Sequence, residues 1–453
     1  MRNLKTLFQP RSIAIIGATD RPGSVGLGVV QNLRLGKRKL FFVNPYRAKV
    51  KGTKTYKSVL DIEEAVDLAV VVVPASAVLS VVEECGQKKV GSVIVISAGF
   101  AEIGPEGKKR QGKLVKIARE SGINLVGPNC LGIIRPSSSF NASFAPAMPA
   151  AGEIAFVSQS GALLDSVIDQ SLGKRYGFSA LISYGNEADL GLEDFLLFLK
   201  EDWRTKVILL YLEGVKDGRR FLAVAKKVAQ TKPIVVLKAG RTASGRKAVS
   251  SHTASLAGAD EVYRAAFKQA GLVAVDTLHE LLAAAKSLAW QPPLRSGLGI
   301  ITNGGGMGVL TTDYVQQENL KLAKLTPETI RKLKNHLPPM VSLRNPLDLV
   351  GDAPAERYQQ ALEAFLKQKS IGGVIVIQTI QTVTEVEKNA RIIVESHRKF
   401  SQKPVVSVCL EGPLSQKGVA YLEKHRLPNY SDPFFAVRAM KALSRSANRQ
   451  KRF

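Results

Sequence analysis

The segment around position 252 carries the residues best suited to chemistry. Residues 250–260 have the sequence SSHTASLAGAD, in which one histidine stands among small and hydroxylic neighbours. The pattern predicts a loop that precedes a helix beginning near Gly258. Small neighbours leave the imidazole of His252 open to a ligand, and Ser251, Thr253 and Ser255 can donate hydrogen bonds to anionic oxygens. Because its pKa lies near neutrality, imidazole is an effective phosphoryl acceptor.

The other four histidines of the sequence do not share this setting. They lie in helical, charge-rich segments, at His279, His336, His397 and His425. We therefore interpret these four as solvated side chains and assign the candidate chemistry to His252.

Three times the chain passes from an apolar strand into a Gly/Ser-rich loop and then into a helix. These loops have the sequences GATDRPGSVG at 17–26, SQSG at 158–161 and NGGGMG at 303–308. Each one puts a helix N-terminus, with its unpaired backbone N–H groups, at the carboxyl end of a strand. That geometry binds anions. The sequence therefore predicts three anion-binding loops in addition to His252.

The strands between these loops predict the fold class. They are short runs of Val, Ile and Leu that alternate with helical segments, which indicates parallel sheets buried on both faces. Breaks fall at 136–152, which is rich in Ser, Ala and Pro, and at 291–297. We predict three doubly wound α/β domains, at 1–137, 150–290 and 296–453.

The composition is that of a globular protein without metal or membrane signals. The chain has 453 residues, of which 45% are hydrophobic and 23% charged. Its three cysteines lack metal-ligand spacing and predict a reducing cytoplasm. Since no apolar run is long enough to cross a membrane, we expect a soluble protein. The net charge of +26 is spread along the chain without nucleic-acid motifs, so a basic surface or an acidic partner subunit explains it better than nucleic acid.

The first loop indicates an unusual nucleotide site. It lacks the Gly-x-Gly-x-x-Gly pattern, and the strand at 40–43 ends without an acidic residue that could bind a ribose hydroxyl. Arg47, Lys49 and Lys51 follow instead, which suits a phosphorylated ribose. NADP and coenzyme A both satisfy this description.

Taken together, these segments resemble the NDP-forming acyl-CoA synthetases, relatives of succinyl-CoA synthetase. The resemblance covers nearly the whole chain and departs from the family at Ala254, where glycine is usual. It is closest to α subunits whose ATP-grasp module lies on a separate chain. The stretches that carry it are the loop at 17–26, GPNCLG at 127–132, SQSG at 158–161, SHTASLAG at 251–258, ITNGGGMG at 301–308 and NPLDLVG at 345–351.

The resemblance implies a fold and a reaction. The fold is an N-terminal Rossmann-like CoA-binding domain followed by two flavodoxin-like doubly wound parallel-sheet domains. In the reaction, phosphate converts an acyl-CoA into an acyl phosphate and free CoA, and the phosphoryl group then passes through His252 towards ADP. Glu213 is the implied carboxylate partner of the imidazole. Its position at the end of a strand places it in a ligand crevice independently of the resemblance.

The resemblance also implies the binding residues. Those expected to stabilise phosphate are Asn129, Ser158, Gln159, Ser160, Gly161, Asn303, Gly304, Gly305 and Gly306. Those expected to bind CoA are Gly17, Ala18, Thr19, Arg21, Gly23, Ser24, Val25, Arg47, Lys49, Val73, Pro74, Ser97, Ala98 and Gly99. We expect no metal site on this chain.

The resemblance also implies the partners of the chain. A separate ATP-grasp β subunit would bind ADP or ATP with Mg, in an α2β2 assembly, and the substrates would be CoA and a small organic acid or its acyl-CoA. The sequence specifies neither the acyl group nor the choice between ADP and GDP. An NADP-dependent reductase would leave His252 unused. A non-catalytic CoA-responsive regulatory protein fits poorly with the presence of that histidine.

Overall fold

The computed structural model describes residues 2–253 and 259–452. For residues 250–253 and 448–452 it describes the backbone alone. The chain divides into two compact units, Met1–Ala274 and Val275–Phe453. The described strands form two seven-stranded sheets in the first unit and one five-stranded sheet in the second. Within the described residues, no helix is long and apolar enough to cross a membrane.

The first sheet is Rossmann-like. Its strands are β1 (Ser12–Ile16), β2 (Lys39–Val43), β3 (Lys49–Val50), β4 (Thr53–Tyr56), β5 (Leu68–Val71), β6 (Ser92–Val95) and β7 (Asn124–Val126). They are arranged in the order β3-β4-β2-β1-β5-β6-β7, in which β3 pairs antiparallel with β4 and the pairs from β4 to β7 are parallel. Its helices are α1 (Lys5–Phe8), α2 (Val25–Arg34), α3 (Ala75–Gln87) and α4 (Pro105–Glu120).

Strand β1 shows why the apolar runs form parallel sheets. Ile13 and Ile15 belong to one apolar core cluster of the first unit, whereas Ala14 and Ile16 belong to another. Because successive side chains of a strand point to opposite faces, both faces of this strand are buried. The sequence prediction of α/β layers with parallel sheets is confirmed.

The second sheet combines a flavodoxin-like layer with an edge hairpin. Its strands are β8 (Gly132–Arg135), β9 (Phe140–Ser143), β10 (Ala151–Ser158), β11 (Phe178–Ser183), β12 (Val207–Leu212), β13 (Ile234–Lys238) and β14 (Val273–Val275). The order is β14-β13-β12-β10-β11-β8-β9. The helices are α5 (Gly161–Ser171), α6 (Leu192–Glu201), α7 (Gly218–Ala229), α8 (Ala243–Thr253) and α9 (Asp260–Ala270).

The edge hairpin was not predicted from the sequence. Strand β8 pairs antiparallel with both β11 and β9, so the segment 136–152 contains a strand of the second sheet. Phe140 and Ala142 are fully buried although their neighbours are small and polar. Gly132, with φ of 118°, lies so close to β9 that a Cβ atom would be 2.1 Å from the Ala142 carbonyl oxygen. The predicted boundaries at 137 and 150 stay a prediction.

Two expectations about histidines are wrong. Residues 243–253 form helix α8, so His252 lies on a helix and not in a loop. The run ASGRKAV that begins this helix contains good helix formers, which extend it further than the small residues after it indicated. His397 is not solvated either, because its Nε2 is buried without a hydrogen-bond partner among the described residues. Burial lowers the pKa of this imidazole.

The third sheet, in the second unit, is parallel throughout the described pairs. Its strands are β15 (Gly297–Thr302), β16 (Leu347–Asp348), β17 (Ile371–Gln378), β18 (Val405–Cys409) and β19 (Asn429–Tyr430). Their order, β16-β15-β17-β18-β19, is the flavodoxin-like arrangement. The helices are α10 (Leu278–Trp290), α11 (Gly305–Gln317), α12 (Pro327–His336), α13 (Ala355–Lys367), α14 (Val386–Lys399), α15 (Gln416–Lys424) and α16 (Pro433–Arg452).

A buried ion pair joins the edge hairpin to helix α6. Arg135, at the end of β8, donates from Nη2 to Oδ1 of Asp202 at 2.8 Å, and the two side chains are 3% and 6% exposed. Asp202 Oδ2 also accepts a hydrogen bond from Thr205 Oγ1 at 2.8 Å. The carboxylate therefore compensates a guanidinium that has little access to water.

We expect Asp202→Ala to lower the free energy of unfolding by about 3–5 kcal/mol, because it leaves the Arg135 charge buried and unpaired. Denaturant unfolding followed by circular dichroism measures this change. Glu106→Ala is the matched control, since its pair with Lys109 is largely exposed and such pairs contribute little. If the two substitutions lower the free energy of unfolding equally, the buried ion pair does not stabilise the hairpin.

Candidate functional site

The loop after β1 is fixed by close backbone packing. Gly17 has φ of 94°, and a Cβ atom there would lie 2.7 Å from the Val72 carbonyl oxygen. A Cβ on Gly26 would lie 2.8 Å from the Gly17 oxygen. Ser24 caps helix α2 by accepting a hydrogen bond from the Leu27 N–H at 3.3 Å. The loop therefore holds a helix N-terminus where strands β1 and β5 diverge to opposite sides, which is the ligand crevice of such sheets.

The basic segment predicted for a phosphorylated ribose lies next to this loop. Arg47 forms an ion pair with Asp20 of the loop and remains 41% exposed. Lys49, on β3, is exposed. Thr19 Oγ1 accepts from the Arg21 N–H at 3.1 Å, and the Asn44 amide donates to the Ala18 oxygen at 2.8 Å. Gly23, with φ of 71°, lies in open space.

The loops after β5 and β6 are joined to each other. Ser97 Oγ donates to the Val73 carbonyl oxygen at 2.5 Å. The Gly99 and Phe100 N–H groups donate to Glu102 Oε1 at 2.5 and 3.1 Å. Burial raises the pKa of Glu102, but hydrogen bonds from Asn186 and from these backbone groups outweigh it and lower that pKa overall. The carboxylate form is thus the one that holds the loop.

The segment GPNC connects the first sheet to the second. The Asn129 N–H donates to the Ser97 carbonyl oxygen at 3.0 Å. Its side-chain amide donates to Asn186 Oδ1 at 3.3 Å, and Asn186 Nδ2 donates to Glu102 Oε2 at 2.5 Å. Asn129 has φ of 58°, in the left-handed region that asparagine tolerates better than most residues. A continuous polar network therefore links the two sheets of the first unit.

The loop after β10 begins helix α5. Ser158 Oγ accepts from the Ser160 N–H at 3.0 Å, and Ser160 Oγ caps the helix by accepting from the Leu163 N–H at 3.3 Å. At Gly161 a Cβ atom would lie 3.0 Å from Leu131 Cβ, so a small residue is favoured there. The first turn of α5 is therefore held close to the GPNCLG segment.

Gln159 connects this loop to Glu213. Its Oε1 accepts hydrogen bonds from the backbone N–H groups of Glu213 and Gly214, at 2.5 and 3.1 Å. Glu213 follows β12 and is only 4% exposed. Lys238, at the end of β13, is equally buried. Burial lowers the pKa of that ammonium group, while Asp260 and Glu213 act in the opposite direction.

Helix α8, which contains His252, belongs to the same unit as Gln159 and Glu213. It lies beside the turn Ala101–Ile103, which follows the loop containing Ser97. The side chain of His252 lies outside the described residues, as do those of Ser251, Thr253, Ala254 and Ser255. The predicted pairing of His252 with Glu213 therefore stays a prediction.

One cavity of about 720 Å³ in the first unit gathers residues from both predicted sets. Residues expected at the CoA site and residues expected at the phosphate site line it together. From the first set these are Val25, Val73, Pro74, Ser97 and Ala98, and from the second Asn129, Gln159, Ser160 and Gly161.

The same cavity contains residues that the sequence analysis missed, above all Asp165. It lies four positions after Gly161 on α5, and its Oδ1 is buried without a hydrogen-bond partner among the described residues. Burial raises the pKa of Asp165 to about 6. The helical spacing from Gly161 was the available signal. Other lining residues not predicted are Val72, Ala75, Ile96, Cys130, Leu131, Phe144 and Ala162.

The third predicted loop lies in the second unit and is occupied by its own contacts. Asn303 Nδ2 donates to the Thr379 carbonyl oxygen at 3.0 Å, and its Oδ1 accepts from the Thr379 N–H at 2.8 Å. The Gly304 N–H donates to Thr302 Oγ1 at 3.0 Å, and α11 then begins at Gly305. Gly306 faces open space. Asn303 therefore holds this loop in place, and its predicted role in stabilising phosphate stays a prediction.

The remaining reactive groups to consider among the described residues are the cysteines and clusters of metal-ligating side chains. Among them, no group of three or more His, Cys, Asp or Glu side chains is placed to hold a metal ion. The three cysteines are free and buried. Burial raises the pKa of Cys130, the cysteine in the cavity wall, to about 12, so its thiol stays protonated.

Family models cover most of the chain. A CoA binding domain matches residues 11–136, a succinyl-CoA ligase like flavodoxin domain matches 151–288, and a ligase-CoA domain matches 298–449.

Curated relatives and solved structures extend this similarity to full length. The acetate–CoA ligase [ADP-forming] II subunit alpha of Pyrococcus furiosus is 40% identical over 98% of both chains. The acetate–CoA ligase [ADP-forming] I of Archaeoglobus fulgidus is 43% identical over 98% of this chain, but the chain spans only 63% of that longer protein. The dinucleotide forming acetyl-coenzyme A synthetase 1 of Ca. Korarchaeum cryptofilum, solved with phosphate and ADP, is 36% identical over 100% of this chain and 98% of that one, with a TM-score of 0.94.

We expect Gln159→Ala to lower the free energy of unfolding by about 1–3 kcal/mol, because two backbone N–H groups at the buried end of β12 lose their acceptor. Gln159→Glu keeps an acceptor oxygen and should recover most of this loss. Denaturant unfolding measures both. Gln170→Ala, at an exposed position on α5, is the control. If Gln159→Ala and Gln170→Ala behave alike, the bonds to Glu213 and Gly214 do not hold the site together.

Proposed function

The chain belongs to the family of ADP-forming acyl-CoA synthetases, and on that premise we propose that it is the α subunit of such an enzyme. The enzyme interconverts acyl-CoA, ADP and phosphate with a carboxylic acid, CoA and ATP. The observation that carries the proposal is the single cavity lined by Ser97 and Ala98 on one side and by Gln159, Ser160 and Gly161 on the other. Acyl transfer between CoA and phosphate requires both substrates in one place.

CoA binds with its nucleotide at the loop 17–26 and its thiol in the cavity. In this proposal the N-terminus of α2 binds the pyrophosphate, and Arg47 and Lys49 bind the phosphorylated ribose. Val25 and Phe144 line the cavity and are 43% and 37% exposed, although they are large and apolar. Apolar walls of this kind suit the pantetheine arm.

Phosphate binds at the N-terminus of α5. Ser160, Gly161 and Ala162 at this end of the helix line the cavity. A helix N-terminus stabilises an anion by roughly 0.3–1 kcal/mol when exposed and by up to about 2 kcal/mol when partly buried. A phosphate oxygen then attacks the thioester carbon, the C–O bond forms and the C–S bond breaks. The products are an acyl phosphate and CoA.

His252 receives the phosphoryl group from the acyl phosphate. The N–P bond forms, the P–O bond to the acyl group breaks, and the carboxylate leaves. Glu213 holds the second imidazole nitrogen and stabilises the positive charge that develops on the ring. Its burial strengthens this interaction, and Gln159 fixes the backbone from which the carboxylate extends.

A partner completes the reaction. The relatives of matching length are named as α subunits, and the sequence has no Walker motif. We assign the site for ADP or ATP with Mg²⁺ to a separate ATP-grasp β subunit, in an α2β2 assembly. The positive charge of the α chain would favour association with an acidic β chain.

ATP formation from ADP, phosphate and acetyl-CoA tests this function. We expect a luminescence assay to detect ATP when the chain is combined with its ATP-grasp partner, and negligible ATP from either protein alone. The chain has the acyl and phosphate sites, whereas the partner would supply the nucleotide site. Robust ADP-to-ATP conversion by the chain alone, free of co-purifying protein, would contradict the assignment of a separate β subunit.

A further inference from the structure

Asp165 is placed where acyl transfer would occur. It follows Gly161 by four residues on α5, so its side chain lies over the first helical turn on the same face. Asp165, Ser160 and Gly161 line the cavity together with Ser97 and Ala98 from the loop after β6. The carboxylate therefore shares one cavity with the helix N-terminus that would hold phosphate and with the loop that would hold the CoA thiol.

No charged side chain among the described residues is placed to pair with the carboxylate of Asp165. Asp165 Oδ1 is inaccessible to water and has no hydrogen-bond partner among the described residues. Cys130 is the other titratable residue of the cavity wall, and its thiol donates weakly to the Val95 oxygen at 3.4 Å. Of the strands packed against α5, β11 carries no charged residue, and the acid of β10, Glu153, pairs with Lys206. Asp169, also on α5, is exposed.

The proposed reaction requires a proton to move inside the cavity. In thioester formation the sulfur of CoA loses its proton as the S–C bond forms. The phosphate oxygen that leaves the acyl carbon must gain a proton, because free phosphate near neutral pH carries at least one. The same proton returns from phosphate to sulfur in the reverse direction. The balance therefore needs one proton carrier and no external acid, base or oxidant.

We propose that Asp165 carries this proton between the CoA thiol and the phosphate oxygen. Its carboxylate accepts the S–H proton as sulfur attacks the acyl carbon, and it donates that proton to the phosphate oxygen as the C–O bond breaks. The reverse reaction uses the same two transfers in the opposite order. This catalytic role of Asp165 goes beyond the proposed function, and it rests on that function.

The ionisation of Asp165 predicts the pH dependence. Burial raises its pKa to about 6, close to the working pH that general acid–base catalysis favours. In both directions the carboxylate must be ionised at the start of the cycle. The rate of acyl transfer should therefore rise as the pH increases through about 6, in either direction, and level off above it.

The test compares two reactions of the complex between this chain and its partner. One is thioester formation from acetyl phosphate and CoA, which requires the thiol proton to move. The other is phosphorylation of His252 by acetyl phosphate, which does not. We expect Asp165→Asn to slow the first by about 10²–10⁴-fold, the usual contribution of a general base, to abolish its pH dependence near 6, and to leave the second unchanged. Asp165→Glu should restore part of the thioester rate.

Asp169→Asn is the matched control, because it makes the same change at an exposed position of the same helix. It should alter neither reaction. The proposal is overturned if Asp165→Asn keeps the full thioester rate and pH profile, or if it slows both reactions equally. Should the unmodified complex catalyse neither reaction, the proposed function fails, and the role of Asp165 fails with it.

Discussion

The backbone N–H groups of Glu213 and Gly214 donate to the side-chain oxygen of Gln159, and the geometry of the site depends on these two hydrogen bonds. Strands β10 and β12 are neighbours, but their connections lead to different parts of the second sheet. A sheet of this kind opens a crevice where the loops of two such strands separate. Gln159 spans that crevice. It holds the loop that starts helix α5 at a fixed distance from the carboxylate of Glu213.

The second unit contains the same arrangement at the corresponding place. Asn303 follows β15 as Gln159 follows β10, and it exchanges hydrogen bonds with Thr379 in the loop after β17. In both sheets a side-chain amide thus joins the loop after one strand to the loop after its neighbour. Within the first unit, the network through Glu102, Asn186 and Asn129 adds a link to the CoA-binding sheet. The cavity is therefore defined by polar side chains that bind backbone, while the apolar strands supply the rigid layers behind them.

Much of the fold and of the candidate site could be predicted from the sequence, because the relevant signals are local. Apolar runs identified the parallel strands, and the Gly/Ser loops identified the helix N-termini at their ends. The hairpin β8–β9 was missed because it joins the second sheet only through the pairing of β8 with β11, which is distant in sequence. Asp165 was missed for a related reason. Helical spacing from Gly161 could have placed it near the loop, but its lack of a hydrogen-bond partner among the described residues is a property of packing.

The central claim is that His252 carries the phosphoryl group between the acyl phosphate and the nucleotide. Peptide mapping after incubation with ³²P-labelled acetyl phosphate tests it most directly. The account predicts base-stable, acid-labile label on the peptide that contains His252, lost in His252→Ala and retained in His279→Gln, a change at an exposed histidine. Undiminished label in His252→Ala would contradict the claim.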